Sequence, residues 1–267
     1  MQAQIVLTLS VNAVKPLLAA KDPRCAGIMD VPGFAAKELG LRGLNLPSSV
    51  LAGRPATDLD KLRDLADKAG APCLVLVEEP PLAFGDPTPG LKTQIEERIR
   101  RLAAAANRLG CRDIAVRCLA KNTDEEFERT ATGIKSCLQE IDRFDLNVLI
   151  VPHDGVTFEP TRLTDLIKKV GGFRIGSLPS FAHAHATGDV EKTLRKLAPY
   201  AESIDATIVG FTGDQHKPYD LRVCVDSVRA VGYVNTLALD YIGKGDVVAD
   251  LIKARGILEA VVQTDEE

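Results

Sequence analysis

The stretch DIAVRCLAKNTDEEFERTATGIKSCLQEIDRFDLNVLIVP, residues 113–152, decides the fold. It opens with an apolar, β-branched run, Asp113–Leu119, and closes with another, Asn147–Pro152. Between them Thr123 stands three residues before Glu126, the spacing of a capping box. The spacing predicts a helix from there to about Phe144. Strand, helix and strand in so short a unit predict a right-handed crossover between parallel neighbours.

The same unit recurs on both sides. Strands are predicted at Ile5–Ser10, Arg42–Leu46, Cys73–Glu78, Phe173–Leu178, Ile204–Phe211 and Val234–Tyr241. Helices fall between them. Asp58–Ala69 carries Leu59, Leu62, Leu65, Ala66 and Ala69 on one face, and Leu91–Leu109 ends at Gly110. Eight strands in alternation with eight helices predict an α/β fold, a (β/α)8 TIM barrel. An open doubly wound sheet is the alternative, but Ser10-Val11-Asn12-Ala13 follows the first strand where a glycine-rich phosphate turn belongs. No composition break marks a linker. Residues 1–262 are read as one barrel domain, with 263–267 an acidic tail.

The length of 267 residues suits this architecture, typically ~250 residues. Lysine and arginine total 33 against 37 acidic residues, a net charge of −4. That balance argues against a nucleic-acid or anionic-membrane partner. No apolar run approaches the ~20 residues of a membrane span, and Ile5–Val11 lacks a basic leader and reads as a strand. Six cysteines without CxxC spacing read as reduced residues of a cytoplasmic protein. Homo-oligomerisation is left open.

In a barrel the active site is built by loops at the C-terminal ends of the strands. The candidates there are Asn45 and Ser48 after strand two, Glu78 and Glu79 after strand three, and Lys121 after strand four. His153 follows strand five; Ser180, His183 and His185 follow strand six. Asp214, His216 and Lys217 follow strand seven, and Asp240 lies near the end of strand eight. All four histidines of the chain fall in these loops, and none is expected in a helix. Histidine suits proton transfer near neutral pH and metal ligation. His153 and His183 are therefore the first candidates for acid/base work, with Asp240. Asn45, Glu78, Lys121, Ser180, His185, Asp214, His216 and Lys217 are candidate substrate-binding residues. Glu78 and Glu79 also read as a solvated strand end. Arg117 points inward or outward according to register, and an inward arginine needs a carboxylate partner.

Five segments resemble the xylose isomerase-like barrels, which include sugar and sugar-phosphate isomerases and epimerases and apurinic endonucleases. They are LGLRGLNL at 39–46, LGCRDIAVR at 109–117, VLIVPH at 148–153, RIGSLPSFAH at 174–183 and TLALDY at 236–241. The resemblance implies a divalent metal held by carboxylates and a histidine at the ends of strands five to eight. At the matching positions stand Val151, Ser180, Phe211 and Asp240, and Asn45 takes the place of an acidic residue after strand two. Hard divalent ions need several oxygen ligands. No resident cofactor is therefore expected. A Zn²⁺ or Mn²⁺ relocated to His153, His183 and Asp240 is the alternative. The expected function is a sugar or sugar-phosphate isomerase or epimerase with an altered site. The alternative is a non-catalytic carbohydrate-binding protein or partner subunit.

Overall fold

The computed structural model describes residues 4–263; of the expected acidic tail only Gln263 is described, and 264–267 lie outside. Eight parallel strands, Val6–Ser10, Leu44–Pro47, Cys73–Val77, Asp113–Arg117, Asn147–Val151, Ile175–Ser177, Ser203–Ile208 and Thr236–Tyr241, each pair with their sequence neighbours, and the first pairs with the eighth. The sixth and seventh close the ring through bridges at Ser177–Ala201 and Ser180–Asp205, and the Asp205 N–H donates to the Pro179 carbonyl at 2.9 Å. This is the expected (β/α)8 barrel.

The helices seal the outside. Helix Leu91–Leu109 buries Ile95, Ile99, Leu102, Ala103, Ala106 and Leu109, a stripe at three- and four-residue spacing. Inside the barrel the two halves differ. Val75, Ala115, Leu149, Val151 and Leu178 form an apolar cluster. On the other side, buried polar side chains meet: Asn45 Nδ2 donates to Ser203 Oγ at 3.1 Å, from strand two to strand seven. That polar half sets the site.

Local chemistry corrects the expected boundaries. Helix Lys15–Ala20 occupies a stretch that carries no expected element, and proline in its first turn suits it there. A second unexpected helix, Phe181–Ala186, begins after Ser180, whose hydroxyl accepts from the His183 N–H at 3.1 Å. His183 and His185 thus lie in a helix, against expectation. Strand six is short. A Cβ at Gly176 would sit 2.6 Å from the Tyr200 carbonyl oxygen, so only glycine permits this close approach. Strand seven ends at Ile208, and the chain then folds into a small antiparallel hairpin, Phe211–Thr212 with Gln215–His216. All six cysteines are unpaired and buried. Among the described residues no helix is long and apolar enough to cross a membrane.

The bottom of the barrel holds a buried carboxyl. Asp113, at the start of strand four, accepts from Asn147 Nδ2 at 2.7 Å. Burial raises its pKa from 3.8 to about 6, against the pull of that hydrogen bond. The native state therefore holds a proton that the unfolded chain releases. Its stabilising contribution is complete below pH 3.8 and is lost as pH rises through about 6. Asp113→Asn is expected to be more stable than the parent at pH 8 by about 1–3 kcal/mol, and the gap should close near pH 4. Urea unfolding at the two pH values measures this; an equal gap at both would sink it.

Candidate active site

A cavity of about 300 Å³ opens at the C-terminal ends of the strands. Ser10 ends the first strand and Asn12 sits in the 3-10 turn that follows; Asn45 and Pro47 come from the second strand. Val77 and Glu79 come from the end of the third, Arg117 from the fourth, Asp205 from the seventh and Asp240 from the eighth. The two-residue strand period turns Asp205 inward with Ser203 and Thr207.

Two carboxyls face this cavity from neighbouring strands. Asp240 pairs in register with Thr207, two residues beyond Asp205. Burial raises Asp205 well above the usual carboxylate range, and the nearby charge of Asp240 adds to it; Arg117 and the Asn45 amide pull the other way. Burial also raises Asp240, but Asn12, whose Nδ2 lies 3.4 Å from Oδ1, and Ser10 favour its ionised form. Asp205 is thus the proton holder and Asp240 the more readily ionised partner. Buried like charges of this kind keep one proton between them.

The third carboxylate is differently placed. Glu79 is ion-paired with Lys15 and accepts from the Ser49 N–H at 3.3 Å. Burial would raise its pKa, but these hydrogen bonds outweigh it and hold the group below its ordinary value. Arg117 is inward. Its Nη1 donates to the carbonyls of Glu78 at 3.4 Å and Glu79 at 3.2 Å, and its charge acts on Asp205 and Asp240. Among the described residues no ion pair joins them to the guanidinium, so the carboxylates meet this inward arginine by charge alone.

Of the expected site residues, the cavity gathers Asn45, Glu79 and Asp240. Glu78 turns away from it. Only 1% exposed, it accepts from Arg98 Nη2 at 2.6 and 2.9 Å, which corrects the reading of a solvated strand end. His183 sits apart from the cavity lining: its Nε2 bonds the Phe158 carbonyl at 2.8 Å and Phe158 packs edge-on at 5.3 Å. Burial lowers its pKa, so the ring is held neutral, with Nδ1 buried and unpartnered. His153 is half-exposed, and its main chain exchanges hydrogen bonds with Thr157 Oγ1 at 3.1 Å. Ser180 spends its hydroxyl on the helix cap.

Strand seven's loop residues serve the loop itself. His216 Nε2 accepts from the Val209 N–H at 3.0 Å and its Nδ1 bonds the Tyr219 carbonyl at 2.8 Å, which fixes Nδ1 as the donor. Exposed Asp214 pairs with Lys253 at 2.9 Å. Lys217 reaches Gln215 at 3.3 Å and Lys121 is exposed. His185 is exposed beside Tyr219, with ring centroids 5.4 Å apart. The cavity also holds residues that a search of the post-strand loops passes over: Ser10, Asn12 and, above all, Asp205. A lone carboxylate inside the apolar run IDATIV was the available signal for Asp205.

A divalent cation of the kind the resemblance implies does not fit these side chains. Val151 is buried in the apolar cluster, Ser180 caps a helix, and Phe211 packs on His216 at 5.4 Å. The remaining carboxylates share the cavity with a guanidinium, and Glu79 is held by an ammonium. Among the described residues no three His, Cys, Asp or Glu side chains are grouped to hold a metal, so His153, His183 and Asp240 do not form the mixed set.

No family model matches the chain, and no curated protein matches it. Solved structures do. An L-ribulose 3-epimerase superposes with a TM-score of 0.80 at 12% identity, over 97% of this chain and 95% of that one. The IolI protein with a bound zinc atom superposes at 0.74 and 11% identity, over 97% and 99%. A xylose isomerase domain protein from Alicyclobacillus acidocaldarius superposes at 0.64 and 17% identity, over 85% and 90%. At such identities the likeness concerns architecture. What the chain shares with these proteins is their fold, a (β/α)8 barrel.

Proposed function

We propose that the protein is a sugar isomerase or epimerase whose proton transfers run through Asp240 and Asp205. The observation that carries this is the pair of inward carboxyls in one polar cavity, with unequal tendencies to ionise. Paired groups whose environments push them apart are natural acid/base partners. A cavity of about 300 Å³ at the barrel mouth suits a small sugar. The likeness to sugar epimerase structures points the same way.

The chemistry is redox-neutral. Ionised Asp240 takes the proton from the carbon beside a carbonyl. The electron pair of that C–H bond moves into a new C=C bond, and the carbonyl oxygen takes up negative charge. The neutral Asp205 carboxyl faces that charge and gives its proton back to carbon. Return to the same carbon from the other face inverts it; return to the former carbonyl carbon, while the neighbouring hydroxyl passes its proton to the oxyanion and becomes the new carbonyl, isomerises the sugar. Relative to the sequence expectation, the proton moves from imidazoles to carboxyls, because His183 is tied to a backbone carbonyl.

The test is solvent exchange. Protein incubated in D₂O with a panel of ketoses, aldoses and their phosphates should wash deuterium into the carbon beside the carbonyl of one of them, as read by NMR. Binding of one of the panel by calorimetry without exchange would replace this reading by that of a carbohydrate-binding protein without turnover. Neither binding nor exchange across the panel would overturn both.

A further inference from the structure

The guanidinium of Arg117 has a half-used set of donors. One nitrogen, Nη1, is anchored on the carbonyls of Glu78 and Glu79, at 3.4 and 3.2 Å. No described residue pairs with Nε or Nη2, and the side chain is half-buried in the wall of the cavity. A planar, permanently charged group is thus fixed at one corner and open on the rest of its fork. Asp205 and Asp240 line the same cavity. In the same cavity Asn45, 2% exposed, carries a buried Oδ1 with no hydrogen-bond partner. An orphaned acceptor so deep in a wall is costly unless a ligand hydroxyl meets it.

We propose that Arg117 grips the two adjacent oxygens of an α-hydroxy carbonyl, in the place of a divalent cation, while Asn45 Oδ1 accepts from the neighbouring hydroxyl. A divalent ion would chelate such an oxygen pair; two parallel N–H donors bind it in the same bidentate manner. The positive charge is covalent and always present, so the site needs no metal loading. This explains why Val151, Ser180 and Phe211 stand in packing and capping roles at positions where the resemblance implies ligands. The inference rests on the sugar reading for the ligand's chemistry, but not on turnover.

The test uses the full chain and glycolohydroxamate, whose adjacent carbonyl and hydroxyl oxygens copy an enediolate. Binding is followed by calorimetry for the parent, Arg117→Gln and Arg117→Lys, each before and after EDTA, with metal content by mass spectrometry. The parent is expected to bind the probe equally with and without EDTA and to carry far less than one equivalent of Mn²⁺ or Zn²⁺. Arg117→Gln should bind about tenfold to a hundredfold more weakly, and Arg117→Lys, which keeps charge without the fork, should fall between. Asn45→Leu should weaken the probe as well, with the fold intact by circular dichroism. A stoichiometric metal whose removal abolishes binding would overturn the inference. So would equal affinity in Arg117→Gln, or no binding by the parent. Arg117-dependent binding without deuterium exchange on any sugar would sink the isomerase reading while leaving this one standing. Should Arg117→Gln fail to fold, the EDTA and metal measurements on the parent decide alone.

Discussion

Replacing Arg98 by methionine is expected to destabilise the protein by about 3–5 kcal/mol. Glu78 is only 1% exposed, and both of its oxygens accept from a single Arg98 nitrogen. Arg98 itself remains 44% exposed, so the pair has one end in the barrel wall and one in water. With the guanidinium gone, a carboxylate is left in the wall with no cation beside it. Removing both partners is a different experiment. Glu78→Gln with Arg98→Met leaves no buried charge and should recover most of the loss, a coupling that a double-mutant cycle reads directly. For a chain of this size the single change should lower Tm by roughly 10 °C. Arg108→Ala, which opens the exposed pair with Asp60, is the control and should leave Tm nearly unchanged. A Tm for Arg98→Met within a degree of the parent would show that the Glu78 carboxylate does not depend on this arginine.

The barrel was legible because parallel strands buried on both faces must be short and apolar. DIAVR, NVLIV and TLALDY carry that signature, and glycine or capping residues punctuate the helices between them. The site was less legible, for two physical reasons. First, attention to the residues just beyond each strand misses side chains inside it. Asp205 stands in mid-strand, and its inward direction depends on a register that the isolated segment IDATIV does not reveal. Arg117 poses the same question, and only assembly of the ring answers it. Second, scarce histidines draw the eye toward chemistry, while irregular loops must satisfy their own backbone groups. His216 uses both nitrogens on the Val209 N–H and the Tyr219 carbonyl; His183 uses one on Phe158. That Val151 and Phe211 carry no ligating side-chain atom is plain in the sequence. The guanidinium among the remaining carboxylates is not, because its neighbours come from strands far away in the chain.

The two cavity carboxyls should respond differently to the same substitution, and this is the sharper test of the proposed chemistry. Asp240→Asn removes the base. Loss of a positioned proton-transfer group is expected to lower kcat/KM for deuterium exchange by about 10²–10⁴-fold, with binding little changed. Asp205 is expected to be neutral in the proposed reaction, since burial and the charge of Asp240 both raise it. Asp205→Asn therefore preserves the charge of the cavity and a hydrogen-bond donor, but it cannot return a proton to carbon. Ligand affinity and same-face exchange through Asp240 should survive, while inversion or isomerisation collapses. The pH profiles separate the two further. The acidic limb of the parent reports protonation of Asp240 and lies above the ordinary carboxylate range, because its pKa is raised. The basic limb reports loss of the Asp205 proton and should vanish in Asp205→Asn, leaving a rate that rises with pH to a plateau. Equal losses of exchange and inversion in both variants would show that the carboxyls bind the sugar and that another group moves the proton.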